Sequence, residues 1–251
     1  MIAVGFADQE RRARRAYLEG LGGRGIDFGP GSVVVVERPD PHWGYLAVGA
    51  VFSDRTIFSV AAEHLAFVRE RAAGEHRHQL LIDVLSALRD ELNGGDEPDV
   101  ALHDPGVCWV LGSDPPAHRL PPGHRLEVVD EVWLNDLIPR GRFENGAGQP
   151  SGVDGRAVRN LYGMAVHDDD DEVVALAGAF NTYGLHEIGV DVVAEHQGEG
   201  LGRAVVSALA REILDRGAVP FYGCNPSNIR SMRTALSAGF VPVSADAAIT
   251  R

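Results

Sequence analysis

The sequence predicts a mixed α/β fold of the α+β class, with a central mixed, largely antiparallel sheet preceded by a smaller α/β domain. Three observations predict it. Strand-like runs at Asn160–His167, Glu172–Phe180 and Leu185–Val193 follow one another through tight turns, the pattern of an antiparallel meander. A glycine-rich turn, Gln197-Gly198-Glu199-Gly200-Leu201-Gly202, then opens a helix whose stripe Leu201, Val205, Ala208, Leu209 and Ile213 repeats at helical spacing. A short apolar strand, Pro220–Cys224, and an Asn-initiated helix complete the pattern.

The elements follow in order from the N-terminus. Arg11, Arg12, Arg14 and Arg15 alternate with Asp8, Glu10 and Glu19, which reads as a solvated helix. Gly20-Leu21-Gly22-Gly23-Arg24-Gly25 is read as a loop. It matches a dinucleotide fingerprint, but it follows a helix and precedes the strand Val33–Val36, the wrong order for that fold. Tyr45–Phe52 reads as a second strand, and Ala61–Ala73 and Gln79–Leu92 as helices. Asn93 to Pro98 is a break, and Val107–Leu111 is a further strand. Prolines at 115, 116, 121 and 122 mark a linker, giving an accessory domain over 1–122 and a second domain over 123–251. The second domain starts at Arg125–Leu134, with helical character at Asn135–Ile138. Phe143–Gly155 reads as a mobile loop, and Asp168–Glu172 as a solvated turn. Arg203, Ser207 and Arg211 lie away from the apolar stripe of the helix after the glycine loop, and Gly217 stops that helix. The last helix is expected to bury Ile229, Met232 and Leu236 and to end at Gly239-Phe240.

Composition narrows the function. The chain has 251 residues, is 45% hydrophobic and carries a formal net charge of −13. That balance disfavours nucleic acid and anionic membranes as partners. No apolar run reaches membrane-spanning length, and no hydrophobic signal region follows the basic residues near the N-terminus, so a cytoplasmic protein is expected. Cys108 and Cys224 are the only cysteines and read as reduced, buried thiols. No His-Glu-x-x-His or paired Cys-x-x-Cys occurs. His64, His76 and His78 therefore read as solvated, and no metal is expected.

The 197–202 turn carries the chemistry. The first N–H groups of a helix have no internal partner, the helix dipole adds positive charge there, and glycines let a phosphate approach the backbone. A dinucleotide fingerprint would need a third glycine where Val205 stands, and no Gly-Lys-Ser/Thr occurs for a P-loop. The spacing Gln197-x-x-Gly200-x-Gly202 resembles the acetyl-CoA pyrophosphate loop of the GNAT N-acetyltransferase family. Asn228, Ser231 and Gly239-Phe240 stand where that family shows Asn-x-x-Ser/Ala and a terminal Gly-Phe. The resemblance covers roughly half of the chain, from Leu126 on. Asn228 also reads as a plain N-cap of its helix.

The resemblance implies a GNAT fold and an acetyl-CoA-dependent transfer to a primary amine, on a small molecule or a protein. It puts the pyrophosphate on Gln197, Gly198, Glu199, Gly200, Leu201, Gly202 and Arg203, with Asn228 and Ser231 also at the cofactor. N–H groups of Val192, Val193 or Ala194 would serve the acyl oxygen and the pantetheine arm. Glu187 would be the general base, with His186 and Asp191 as fallbacks; a solvent-facing strand carboxylate is an equal reading of Glu187. Many relatives place a tyrosine where Ala235 stands, which leaves the acid open among Ser231, Tyr222 and Tyr183. That departure keeps a second reading alive, a non-catalytic acyl-CoA-binding or regulatory protein on the same fold. Transfer to a hydroxyl is a third. Glu144, Asp154, Glu187 and Asp191, with the −13 balance, suggest a cationic acceptor; solubility alone accounts for the charge equally well.

Overall fold

The computed structural model describes residues 5–26, 31–39, 45–52, 55–73, 80–94, 100–103, 105–149 and 158–250. Its elements run α1 (Phe6–Gly20), β1 (Val33–Glu37), β2 (Tyr45–Phe52), β3 (Arg55–Val60), α2 (Leu65–Ala72), α3 (Leu80–Asn93), β4 (Ala101–Leu102) and β5 (Gly106–Leu111) in the first half. The second half holds β6 (Arg125–Asp130), α4 (Glu131–Leu137), β7 (Gly148–Gln149), β8 (Val158–Arg159), β9 (Tyr162–His167), β10 (Val173–Thr182) and β11 (Leu185–Val192). It ends with α5 (Leu201–Asp215), β12 (Pro220–Cys224), α6 (Ile229–Ser237) and β13 (Phe240–Thr250). The mixed α/β class read from the sequence holds. His76, His78 and Asp154 lie outside the described residues.

The chain divides into two compact units, at a place other than residue 122. The larger comprises Met1–Ala13, Trp109–Cys224 and Asn228–Pro242; the smaller comprises Arg14–Cys108, Asn225–Ser227 and Val243–Arg251. The proline stretch lies inside the larger unit. Arg211 donates to the Pro115 carbonyl, and His118 Nε2 sits 3.1 Å from the Ser237 carbonyl. Prolines remove backbone donors but leave carbonyls, so the stretch can be pinned by side chains without joining a sheet.

In the smaller unit, β1 pairs in parallel with β3, β3 antiparallel with β2, and β2 antiparallel with β13. Phe58, Val68, Val84, Leu85, Leu88 and Ile249 build its core, with α2 and α3 supplying the helical share. Asn93 ends α3 by bonding both the N–H and the carbonyl of Val100, at 2.8 and 3.0 Å.

In the larger unit the strand order is β6-β9-β10-β11-β12-β5. The predicted meander is β9-β10-β11, antiparallel throughout, with Met164 facing Ala177 and Gly178 facing Gly189. Asp168 Oδ1 closes the solvated turn by accepting from the N–H groups of Asp170 and Glu172. Asp130 caps α4 by accepting from the Trp133 N–H at 2.9 Å, so the helix starts at Glu131, earlier than the sequence suggests. One sheet face receives α5, through Leu201, Val205, Leu209 and Ile213. The other receives α4 and the segment after it, through Leu134, Leu137, Phe143 and Ala147. The first part of the expected mobile loop is therefore packed, and the rest of it, 150–155, lies outside the described residues.

Two helix faces differ from the sequence reading. Ser207 is buried, because α5 also packs against α6 and its covered face is wider than the apolar stripe. On α6 the buried residue is Ala235, whereas Ile229 and Leu236 are 52% and 56% exposed. The Asn228 cap sets the rotation of α6: Ser231, Met232 and Ala235 turn inward, and Ile229 and Leu236 turn to solvent.

Candidate active site

The site forms where β11 and β12 part. Their parallel register holds at His186↔Pro220 and Glu187↔Phe221 only. Backbone N–H groups on a strand point alternately to its two neighbours. The Val193 N–H donates to the Val174 carbonyl at 2.9 Å, on the β10 side. The His186 N–H donates to the Val219 carbonyl at 3.0 Å, on the β12 side. By that alternation Ile188, Val190 and Val192 direct their N–H groups toward β12, the last two of them beyond the last register pair. Val192 therefore has its N–H directed toward the opening. The Val193 N–H is instead bonded within the sheet. Val190, which the sequence did not single out, shares the orientation of Val192; strand parity would have found it.

The glycine loop lies at the far end of the same opening. Gln197 ties it down, donating from Nε2 to the Val192 carbonyl at 3.3 Å and accepting from Arg230 Nη1 at 2.6 Å. Gly198 has φ +92° and Gly200 +86°, the left-handed region that favours glycine. Gly200 is the N-cap of α5, and the Leu201, Gly202 and Arg203 N–H groups lead off the helix. Leu201 buries its side chain at 1% exposure, so only its backbone is available. A Cβ on Gly200 would lie 2.9 Å from Arg203 Nε, so this guanidinium rests directly on the loop. Arg203 and Arg230 thus bring two cations to a helix N-terminus, which suits a pyrophosphate. Glu199 is exposed and faces His196 and His124 instead.

Glu187 stands on the face that carries α4, at the start of the opening. Its Oε2 accepts from Thr182 Oγ1 at 2.7 Å. A Cβ on Gly223, across the opening, would lie 2.5 Å from Glu187 Oε1, so the missing side chain there makes the space the carboxylate occupies. The two fallbacks read from the sequence are engaged elsewhere. Asp191 accepts from Asn145 N, Asn145 Nδ2 and Gly146 N at 2.7–2.8 Å, which anchors the loop after α4. His186 points to the α5 face, with Nδ1 2.6 Å from Tyr162 Oη. Burial, and then the nearby Arg216 guanidinium, hold its pKa below the ordinary value.

On the α6 side, Ser231 Oγ and Tyr222 Oη are 2.8 Å apart. Burial pushes the Tyr222 phenol up to about 12, with the Ser231 bond opposing. The half-buried Cys224 thiol is also pushed up by burial, and Trp109 and Ser231 oppose it. Asn228 Oδ1 accepts from the Ser231 N–H at 3.1 Å, so the cap reading is correct and its amide nitrogen remains for other partners. Ala235 is fully buried. Ser231 is therefore the hydroxyl at the opening, with Tyr222 behind it; Tyr183 lies in the β10–β11 turn, at φ +55°.

Residues 157–245 match the GNAT acetyltransferase family model. No curated protein matches the chain. Among solved structures, the chain is similar to a GCN5-related N-acetyltransferase from Kribbella flavida, at 17% identity and TM-score 0.50, covering 98% of this chain and 95% of that one. It is also similar to a GCN5-related N-acetyltransferase from Sphaerobacter thermophilus, at 14% identity and TM-score 0.48, covering 99% and 94%. A GCN5-related N-acetyltransferase-like protein from Streptococcus suis gives 16% identity and TM-score 0.45, covering 98% and 99%. At this identity the Kribbella likeness bears on fold alone, and it agrees with the family match.

Proposed function

We propose that this chain, whose second half carries a GNAT acetyltransferase domain, is an acetyl-CoA-dependent N-acetyltransferase acting on a primary amine. The observation that carries the reading is the opening between β11 and β12, with Glu187 at one end and the glycine loop at the other. The residues fit the cofactor. Gly200 leaves its backbone open beneath Arg203, α5 presents its first N–H groups, and Val190 and Val192 direct theirs into the gap. Acetyl-CoA, when bound, supplies an acyl group activated as a thioester.

The chain's own residues would do the rest. An amine with a pKa near ~10 must lose a proton before it attacks. The Glu187 carboxylate, held by Thr182, takes that proton directly or through one water. Gap-facing N–H groups donate to the acyl oxygen as charge develops there. Ser231 donates toward the departing sulfur. Tyr222, kept protonated by burial, stands behind it as the second hydroxyl of a two-group relay. A thiol with a pKa near ~8.5 needs little help to leave, so the alanine at 235 does not stop turnover. Ala235 is the one feature favouring the second reading, an acyl-CoA-binding regulatory protein.

We assign the acceptor to cationic amines, on small molecules or proteins, from the −13 balance and the Glu187 carboxylate. A cytoplasmic location goes with this reading; no helix among the described residues is long and apolar enough to cross a membrane. Turnover against an amine panel, read as thiol release with and without amine, tests the proposal. Amine-dependent release that falls ~10²–10⁴-fold in Glu187→Gln, with acetyl-CoA affinity kept, supports it. No release with any amine, in a protein that binds acetyl-CoA, favours the regulatory reading.

A further inference from the structure

Two histidines and a glutamate meet beside the glycine loop, and neither the fold nor the proposed chemistry uses them together. The ligand atoms of His124, His196 and Glu199 all lie within 4.8 Å of one another. His196 Nδ1 is 3.5 Å from Glu199 Oε2, and His124 Nε2 is 3.9 Å from the same oxygen. The two rings meet edge to face, with centroids 5.7 Å apart.

His124 carries the strongest indication. Its Nδ1 lies 3.1 Å from the Pro122 carbonyl, which can only accept, so Nδ1 holds the proton. In the neutral ring Nε2 is then a bare lone pair. It is buried and has no hydrogen-bond partner, and its side chain is only 11% exposed. A carbonyl fixing one imidazole nitrogen while the other points into a cluster of donors is the outer-shell arrangement of metal-binding histidines. A buried acceptor left unbonded costs stability unless something occupies it.

We propose that His124, His196 and Glu199 form a binding site for one divalent transition metal, Zn²⁺ in first preference. Two imidazoles and a carboxylate are a borderline N,N,O donor set. It suits Zn²⁺ and its neighbours rather than Mg²⁺ or Ca²⁺, which take oxygen ligands. Tetrahedral Zn²⁺ with ligand bonds of ~2.0–2.2 Å sets its donors about 3.3 Å apart. The observed spacings need only small inward rotations of side chains, two of which, His196 and Glu199, lie on a turn. Three protein ligands leave one coordination position for water or an anion. Such a metal would tie the loop that carries Gly198 and Gly200 to the residue before β6, and it would neutralise the Glu199 carboxylate. If the loop holds the pyrophosphate, as proposed above, that carboxylate is otherwise an unfavourable neighbour.

The test uses the full chain, stripped with a chelator and then titrated with Zn²⁺ against a chromophoric competitor. One equivalent should bind with micromolar or tighter affinity, unaffected by millimolar Mg²⁺. His124→Gln and Glu199→Gln should each weaken binding at least tenfold, while His118→Gln, outside the cluster, should not. Co²⁺ in place of Zn²⁺ should give a visible absorption band that both cluster variants lose. Glu199 is exposed, so its variant is expected to fold even if the buried His124 site is disturbed; circular dichroism of the metal-free proteins checks this. Binding no tighter than ~100 μM, or equal binding by the wild type and Glu199→Gln, would overturn the site. The titration contains no acetyl-CoA, so its outcome is independent of whether the loop holds that ligand.

Discussion

Gly223→Ala tests the base without touching it. The added Cβ would lie 2.5 Å from Glu187 Oε1, whereas ordinary contact begins near 3.4 Å. The carboxylate would have to retreat by about 0.9 Å, since the strand backbone is less free to move than the end of a glutamate. Its bond from Thr182 Oγ1 is now 2.7 Å, so a retreat of that size breaks or bends it. A misplacement of about 1 Å at a reacting group can cost ~10²-fold. We expect kcat to fall roughly 10- to 100-fold, with acetyl-CoA affinity within a factor of about 3, because the proposed cofactor contacts lie further along β11. Gly223 lies in a strand with no positive φ, so the substitution adds no backbone strain. The assay is steady-state turnover across pH, with acetyl-CoA binding measured by calorimetry on the same samples. An unchanged kcat in a folded Gly223→Ala protein would refute the placement of Glu187 as the base. So would a kcat loss fully explained by lost cofactor affinity.

Other perturbations probe the remaining groups. Tyr222→Phe keeps the ring packed against Phe240 but removes the hydroxyl behind Ser231; kcat should drop about 3- to 30-fold at neutral pH with little change in KM, and Ser231→Ala should lose at least as much. Wild-type activity in both variants would remove this pair from the chemistry. His186, whose pKa is depressed by burial, stays neutral in the folded protein while the unfolded chain takes a proton below about 6.5. Stability is therefore retained above that pH and lost as pH falls through it, and the melting temperature of His186→Gln should decline less between pH 7 and 5. Identical slopes would show that other groups govern the acid limb. For cationic amines, kcat/KM should fall with added salt over the range that shortens screening to ~8–10 Å. Selectivity for anionic acceptors would contradict the electrostatic assignment of the acceptor.

The sequence reading succeeded where the signal was local. The meander, the glycine turn, the helix after it and the Asn228 cap each depend on residues within a few positions of one another. All four stand as the pattern implies. It failed where distant parts of the chain meet. The division of the chain shifted to Cys108 because Trp109–Leu111 serves as a strand beside β12, which no local composition reveals. Ala235 rather than Leu236 faces inward because the cap sets the helix rotation and β12 supplies the partner surface. The Val193 N–H points to β10 by strand parity, which becomes fixed once the Val193–Val174 bond is known. The space that Gly223 leaves for Glu187 and the meeting of His124 with His196 and Glu199 join residues far apart in sequence. The His196-x-x-Glu199 spacing was visible, but nothing in the sequence joined it to His124.

The central claim is that the 197–202 loop receives acetyl-CoA. Calorimetric titration of the full chain with acetyl-CoA, wild type against Gly200→Asp, tests it most directly. Gly200 has φ +86° at the start of α5, where an aspartate adds both a side chain and a negative charge beneath Arg203. Asp tolerates this backbone region better than most residues, so the fold should persist. The account predicts saturable one-to-one binding by the wild type and a loss of at least tenfold, about 1.4 kcal/mol, in the variant. Unchanged affinity in a folded Gly200→Asp protein, or no binding by the wild type, would contradict it.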